Sequence, residues 1–301
     1  GLGTDFQRRG WWAIVVSDVL EDIRSMLLAN ADDIPSAMTA FEEELELILK
    51  RLGQGDFKRL EERLEKTAER LRRIKLKRPP VAVPKIFLAG EIFVRRDALS
   101  RQYLTERLAE QGFATICSPV SEWMLYADFL VKSGRADCKP TLLEYLKFLL
   151  HTRYKGFYEK RIKTILAGSQ LVPAEAVRMD TIIDGASHHL SPDLGGEAIL
   201  TIGSALAEIV DVACGVIAIG PFGCMPNRLS EAILCETMNR SDKLRIDPHN
   251  ERLRTVLADI DELPFLAIES DGSPFPQIIT AKLEAFCLRA RRLHDRLYTM
   301  N

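Results

Sequence analysis

The apolar positions of this chain follow two patterns, and the first covers the opening eighty residues. There they recur at helical spacing: Ile14, Val15, Val19, Ile23 and Leu27 form an amphipathic stripe over residues 11–28, and residues 36–51 carry another. Residues 56–75 are long and charged, with apolar positions only at Leu60, Leu64, Leu71 and Ile74. Glu62 with Lys66 and Glu69 with Arg73 are favourable pairs four residues apart, whereas Glu61 with Glu65 and Glu65 with Glu69 oppose like charges. This third helix is therefore predicted to lie solvated on the protein or to bridge modules. Its basic end, residues 72–78, complements the helix dipole; a phosphate-binding patch is the other reading.

Pro79, Pro80 and Pro84 form a linker, after which the pattern changes. Residues 85–90 are an almost unbroken apolar run, the signature of a parallel strand covered on both faces. Leu99, Tyr103, Leu104 and Leu108 predict a helix over residues 97–110, stopped by Gly112, and residues 113–117 predict a second strand. Such a crossover is right-handed and makes a parallel pair. Residues 122–193 read as a helical insertion, with helices over 123–132, 141–150 and 154–166. Alternation then resumes with a helix over 194–214, a strand over 215–220, a turn marked by Gly220, Pro221 and Gly223, and a helix over 227–240 with Pro226 in its first turn. A fourth strand, 263–269, and a last helix, 275–298, close the chain.

These elements predict an α/β fold: a small, parallel, Rossmann- or flavodoxin-like sheet of about four strands in the order 2-1-3-4, with an N-terminal helical region and a helical insertion. The expected divisions are residues 1–80, 81–121, 122–193 and 194–301. In that order the strands ending at Gly90 and Gly220 are neighbours, and open α/β sheets bind ligands where the carboxyl ends of such strands diverge. Glu91, Arg95 and Glu122 are thereby expected opposite Cys224, with Asp271 farther along the same rim.

Composition narrows the setting. The chain has 301 residues, 47% hydrophobic and 28% charged, with a formal net charge of −2, which gives no global pull toward nucleic acid or membrane. No apolar run approaches a membrane span, and no basic-then-apolar leader marks the chain for secretion. It begins with Gly rather than Met, as a processed or excised piece does. Six cysteines (Cys117, Cys138, Cys214, Cys224, Cys235 and Cys287) include no Cys-x-x-Cys pair, which points to a reducing cytoplasm with most thiols free and against structural zinc.

Five ordered segments carry a resemblance: Gly90-Glu91-Ile92-Phe93-Val94-Arg95, Glu122-Trp123-x-x-Tyr126, Gly196-Glu197-Ala198-Ile199-Leu200, Gly220-Pro221-Phe222-Gly223-Cys224-Met225-Pro226, and Pro264 through Gly272. Together they resemble the carboxyl-terminal, dehydratase-like region of the long activase-related proteins of the 2-hydroxyacyl-CoA dehydratase and double-cubane cluster group. The resemblance implies iron–sulfur chemistry, with a [4Fe–4S] or double-cubane [8Fe–9S] cluster fed low-potential electrons by an ATP-hydrolysing activase. It makes an acyl-CoA substrate and a homo- or hetero-dimer open questions. The chain departs from the group in having no glycine-rich ATP loop, so ATP is not expected to bind here, and in offering Cys224 as the single cysteine inside a matched motif.

On that resemblance Cys224 is the favoured metal ligand, with Cys214 and Cys138 as weaker candidates; a thiolate at a helix start is favoured by backbone N–H groups and the positive helix end. Gly220 and Gly223 would let the backbone approach a cofactor. Arg95 would offset cluster or CoA-phosphate charge, Asp271 would line the rim, and Glu91 and Glu122 would move protons. Plainer roles stand beside these. Cys224 fills a crowded turn, Cys214 is a small apolar core residue, Cys138 is a free loop thiol, and Cys117, Cys235 and Cys287 pack in the core. Arg95 and Arg96 make surface ion pairs, Glu91 and Asp271 cap helices, and Trp123 and Tyr126 make core contacts. The competing functions are a non-catalytic docking or regulatory module of a larger activase–dehydratase protein, or an acyl-CoA- or nucleotide-binding domain without metal.

Overall fold

A computed structural model describes residues 3–136, 140–246 and 248–299. Helices α1 (Thr4–Asn30), α2 (Ile34–Gln54) and α3 (Phe57–Arg72) come first, then β1 (Lys85–Gly90), α4 (Leu104–Glu110) and β2 (Ala114–Cys117). Next are α5 (Val120–Lys132), α6 (Leu142–Ala167), α7 (Met179–Ser187) and α8 (Glu197–Glu208). The chain continues through β3 (Gly215–Pro221), α9 (Met225–Thr237), α10 (Arg240–Ile246), α11 (Glu251–Val256), β4 (Phe265–Ser270) and α12 (Gln277–Thr299). It divides into two compact units: Gly1–Pro80 with Pro119–Met179, and Val81–Ser118 with Asp180–Asn301.

The first unit is a helical bundle of α1, α2, α3, α5 and α6. Asp33 and Asp56 start α2 and α3 by accepting N–H bonds from Ser36 and Arg59, and Thr141 with Glu144 closes a capping box on α6. Asp18 of α1 caps α5, its two carboxylate oxygens accepting the N–H groups of Val120 and Ser121 at 2.8 and 2.9 Å. The charged helix α3 lies on the helical bundle with its charged face in solvent, one of the two placements expected. Leu60, Leu64, Ala68 and Leu71 are buried and seat it against α2 and α6, because one leucine stripe suffices to hold a helix on a core. Its polar Thr67 joins Arg63 and Arg70 around the buried Glu44 carboxylate. The two helices expected over 141–150 and 154–166 are one continuous helix, α6.

The second unit holds the predicted sheet, with four parallel strands in the order β2-β1-β3-β4. Ile217, Ala218 and Ile219 of β3 are fully buried, as the unbroken apolar run requires. Helices α4 and α12 pack on β2 and on β3 and β4 respectively, while α8 packs on β1 and α9 on β3. Gly90 lies opposite Ile219 in the register, so the two strands end side by side.

Two helices of this unit are shorter than the apolar spacing predicts. The helix expected from Asp97 begins only at Leu104, and residues 92–103 are turns, with Gln102 and Tyr103 both at φ +52. The helix expected over 194–214 is Glu197–Glu208, entered through Gly195 and Gly196 at positive φ and left at Ile209. Among the described residues no helix is long and apolar enough to cross a membrane.

Candidate functional site

The carboxyl edge of the sheet gathers most of the candidate residues of the second unit, and the structure gives each a local explanation. Gly90 ends β1 at φ +105, and a Cβ there would stand 2.1 Å from the Ile219 carbonyl oxygen. Only glycine lets β1 pass so close to β3 while turning. The next residue, Glu91, accepts the N–H groups of Phe93 and Val94 at 3.1 and 2.8 Å, fixing the turn that follows.

Arg95 lies inside that turn and is buried. Its Nε donates to the Ser118 carbonyl at 3.1 Å, and its Nη1 donates to the Gly90 carbonyl and to Glu197 Oε1, the latter at 3.1 Å. The guanidinium thus ties the ends of β1 and β2 to the first residue of α8. Arg101 in turn donates to the Arg95 carbonyl at 2.9 Å, which explains why residues 92–103 wind as turns around buried arginines instead of continuing as a helix. The sequence suggested a surface ion pair or an anion ligand for Arg95; its position is a buried ion pair with carbonyl partners.

At the end of β3 the chain makes the turn Phe222-Gly223-Cys224, and Cys224 is the N-terminal capping residue of α9. Its N–H donates to the Pro221 carbonyl at 3.1 Å and its carbonyl accepts from Arg228 N–H at 2.9 Å, while its thiol makes no capping hydrogen bond. Gly223 has φ +72 with open space where a side chain would stand, and its N–H donates to Glu269 Oε1 at 3.2 Å. Arg228 pairs with Glu231 at 2.6 Å and lies 3.5 Å from Glu269. On either side of the half-buried Cys224, Phe222 and Met225 are 77% and 78% exposed. Asp271 sits past the end of β4, where it accepts Ser273 N–H at 2.8 Å; that backbone bond, then the Ser273 hydroxyl, holds its carboxyl below the ordinary range.

Other candidates lie elsewhere. Cys214 precedes β3 at the opposite, amino end of the sheet, where its thiol donates to the Lys85 carbonyl at 3.2 Å. The length of β3 therefore separates it from Cys224. Burial pushes its thiol up to about 12 and that of Cys287 up to about 11, so both behave as apolar core groups. Cys235, expected in the core, is exposed on α9. Glu122 belongs to the helical unit, buried in the first turn of α5. Tyr126 of that helix is buried and meets Trp123 edge to face. Cys138 lies outside the described residues.

One group escaped sequence reasoning altogether. Asn227, in the first turn of α9, is only 3% exposed, and among the described residues neither its amide nitrogen nor its amide oxygen has a partner. Its side chain rests on Gly220, where a Cβ would come within 2.6 Å of Asn227 Cγ. The glycine at the end of β3 makes room for a buried amide beside the switch point, and no spacing signal in the sequence announces that.

No known protein family, no curated protein and no solved structure matches this chain. The chemistry is therefore argued from the side chains. Among the described residues no group of three or more His, Cys, Asp or Glu side chains is placed to hold a metal ion. A complete cluster site does not fit within them: the edge offers one accessible thiol, an open space before Gly223 and an unpaired amide beneath.

These surroundings predict an order of thiol reactivity. In native protein at pH 8, iodoacetamide is expected to label Cys224 first. Cys235 should follow more slowly, because partial burial and then Glu231 and Glu236 raise its pKa. Cys117, Cys214 and Cys287 should stay unlabelled until denaturant is added, since only thiolates react and these thiols are buried. Peptide mass mapping over time checks this, and native labelling of Cys214 as fast as Cys224 would contradict the placement of both.

Proposed function

We propose that the chain is a partner-facing module of an ATP-dependent activase–dehydratase redox system. In this reading the carboxyl edge of the sheet is the contact face, and Cys224 contributes one thiolate to an iron–sulfur cluster completed by another chain. The observation that carries it is the Phe222–Met225 turn: an accessible thiol at a helix start, bordered by two exposed large apolar side chains. Exposed apolar side chains beside a chemically active group mark a surface that another molecule covers. The five-segment resemblance to the 2-hydroxyacyl-CoA dehydratase and double-cubane group supports the same reading and supplies the electron donor, an ATP-hydrolysing activase. ATP is assigned to that donor.

The reading assigns roles only where the side chains are free to act. Arg95 and Glu91 hold the framework, as their partners require, and the half-buried Cys224 sits at the turn between the exposed Phe222 and Met225. Iron and acid-labile sulfide per chain, after anaerobic purification and reconstitution, test it with Cys224→Ala in parallel. The expected result is iron and sulfide retained by the wild type and lost in the variant. Equal, negligible metal in both would overturn the redox reading and leave a docking module without a metal.

A further inference from the structure

Helix α6 carries two apolar faces, and among the described residues only one is buried. Its carboxyl half buries Ile162 and Leu166, with Lys155, Glu159 and Lys163, toward the helical unit. Along the opposite face run Leu142, Leu146, Leu149, Leu150 and Phe157, which fall on one side of a helix because they lie four, seven, eight and fifteen residues from the first. With Leu143 at its margin, this stripe is between 38% and 78% exposed at every position. A monomer's largest apolar patch is about 300–600 Å² and is often functional; six such side chains on one rigid helix reach that range.

We infer that this stripe is a homodimer interface, in which the amino half of α6 packs antiparallel against the same segment of a second copy across a two-fold axis at Leu146. The sequence itself is what selects a second copy. A two-fold axis through Leu146 maps each position onto the one equally far on its other side. Leu142 then meets Leu150 of the other copy, Leu143 meets Leu149, and Leu146 meets its own counterpart. The leucines of Leu142-Leu143-Glu144-Tyr145-Leu146-Lys147-Phe148-Leu149-Leu150 are a palindrome about that residue, as an isologous contact demands. The capping box of Thr141 and Glu144 fixes the start of the helix, so the surface is ordered before association and little entropy is lost on binding.

The test is the mass of the 301-residue, metal-free chain in solution, so its outcome is independent of any cluster. Sedimentation equilibrium at micromolar concentration is expected to give twice the chain mass of 33.9 kDa. Leu146→Glu puts two carboxylates face to face on the axis and is expected to give the single-chain mass with unchanged helix content by circular dichroism. Leu146→Lys should do the same, and an equal mixture of the two variants should restore the doubled mass. A wild type of single-chain mass would overturn the inference, and so would a Leu146→Glu variant that remains dimeric. If the single-chain wild type instead floats with phosphatidylcholine–phosphatidylglycerol vesicles and Leu146→Glu does not, the stripe belongs to a lipid surface and the dimer is refuted.

Discussion

Replacing Gly90 with alanine is expected to unfold the sheet unit or to leave it barely stable. Two costs add at this position. A non-glycine residue at φ +105 sits in a sparsely populated region, at roughly 1–3 kcal/mol. The added methyl would stand 2.1 Å from the Ile219 carbonyl oxygen, and because that oxygen belongs to the neighbouring strand, relief requires β1 and β3 to separate. Forced overpacking costs roughly 1–3 kcal/mol more, giving a total of about 4 kcal/mol and a fall in Tm of roughly 10 °C. Gly223→Ala is the internal comparison: it has positive φ too, but open space before it, so it should cost only about 1–2 kcal/mol. Thermal unfolding of the two variants side by side decides the matter. A Gly90→Ala protein as stable as Gly223→Ala would mean that the strands do not end in the register described.

The second large effect is expected from Arg95→Met. The substitution removes a buried charge that faces Glu197, whose side chain is 12% exposed, together with donors to the carbonyls of Gly90 and Ser118. Deleting one member of a buried pair leaves the other charge uncompensated and costs about 3–5 kcal/mol. Adding Glu197→Leu to Arg95→Met should recover part of that loss, because the orphaned carboxylate goes with it; the difference measures their coupling. Urea unfolding of the two single variants and the double variant gives all the terms. An Arg95→Met protein within about 1 kcal/mol of wild type would show that the guanidinium is not holding the sheet edge, and would return it to the list of groups free for a ligand.

These two positions also show what the sequence makes legible. The strands were readable because burial on both faces forces continuous apolar runs such as Ile86–Ala89 and Val216–Ile219, and the alternation with helices then leaves few orders, among them the 2-1-3-4 observed. The glycines at the strand ends were readable as turns, though not the reason Gly90 tolerates no side chain, which depends on how closely β3 passes. Residues 97–103 misled because Leu99, Tyr103, Leu104 and Leu108 mimic a helical stripe. The backbone there follows the buried guanidinium groups of Arg95 and Arg101, and a one-dimensional pattern carries no sign that two arginines point inward. The placement of Cys224 at a strand-to-helix turn was readable from Gly220, Pro221, Gly223 and Pro226. The opposite ends at which Cys214 and Cys224 lie follow directly from the strand between them, whereas the unpartnered amide of Asn227 depends on packing alone.

The interleaving of the two units has a consequence for how this protein comes to exist at all. The sheet's central neighbours, β1 and β3, are joined in space but separated in the chain by the whole of Pro119–Met179, which belongs to the helical unit. Synthesis from the amino end therefore delivers β1, α4 and β2 long before the strand that completes the middle of the sheet. That early half has an open, apolar edge along Ile86–Ala89 and must wait for its partner; pairings this distant close slowly, and unpaired strand edges are what aggregation exploits. All residues of the helical unit have been made by Met179. The interval in which that edge stands unpaired is the one between the synthesis of Gly90 and that of Pro221.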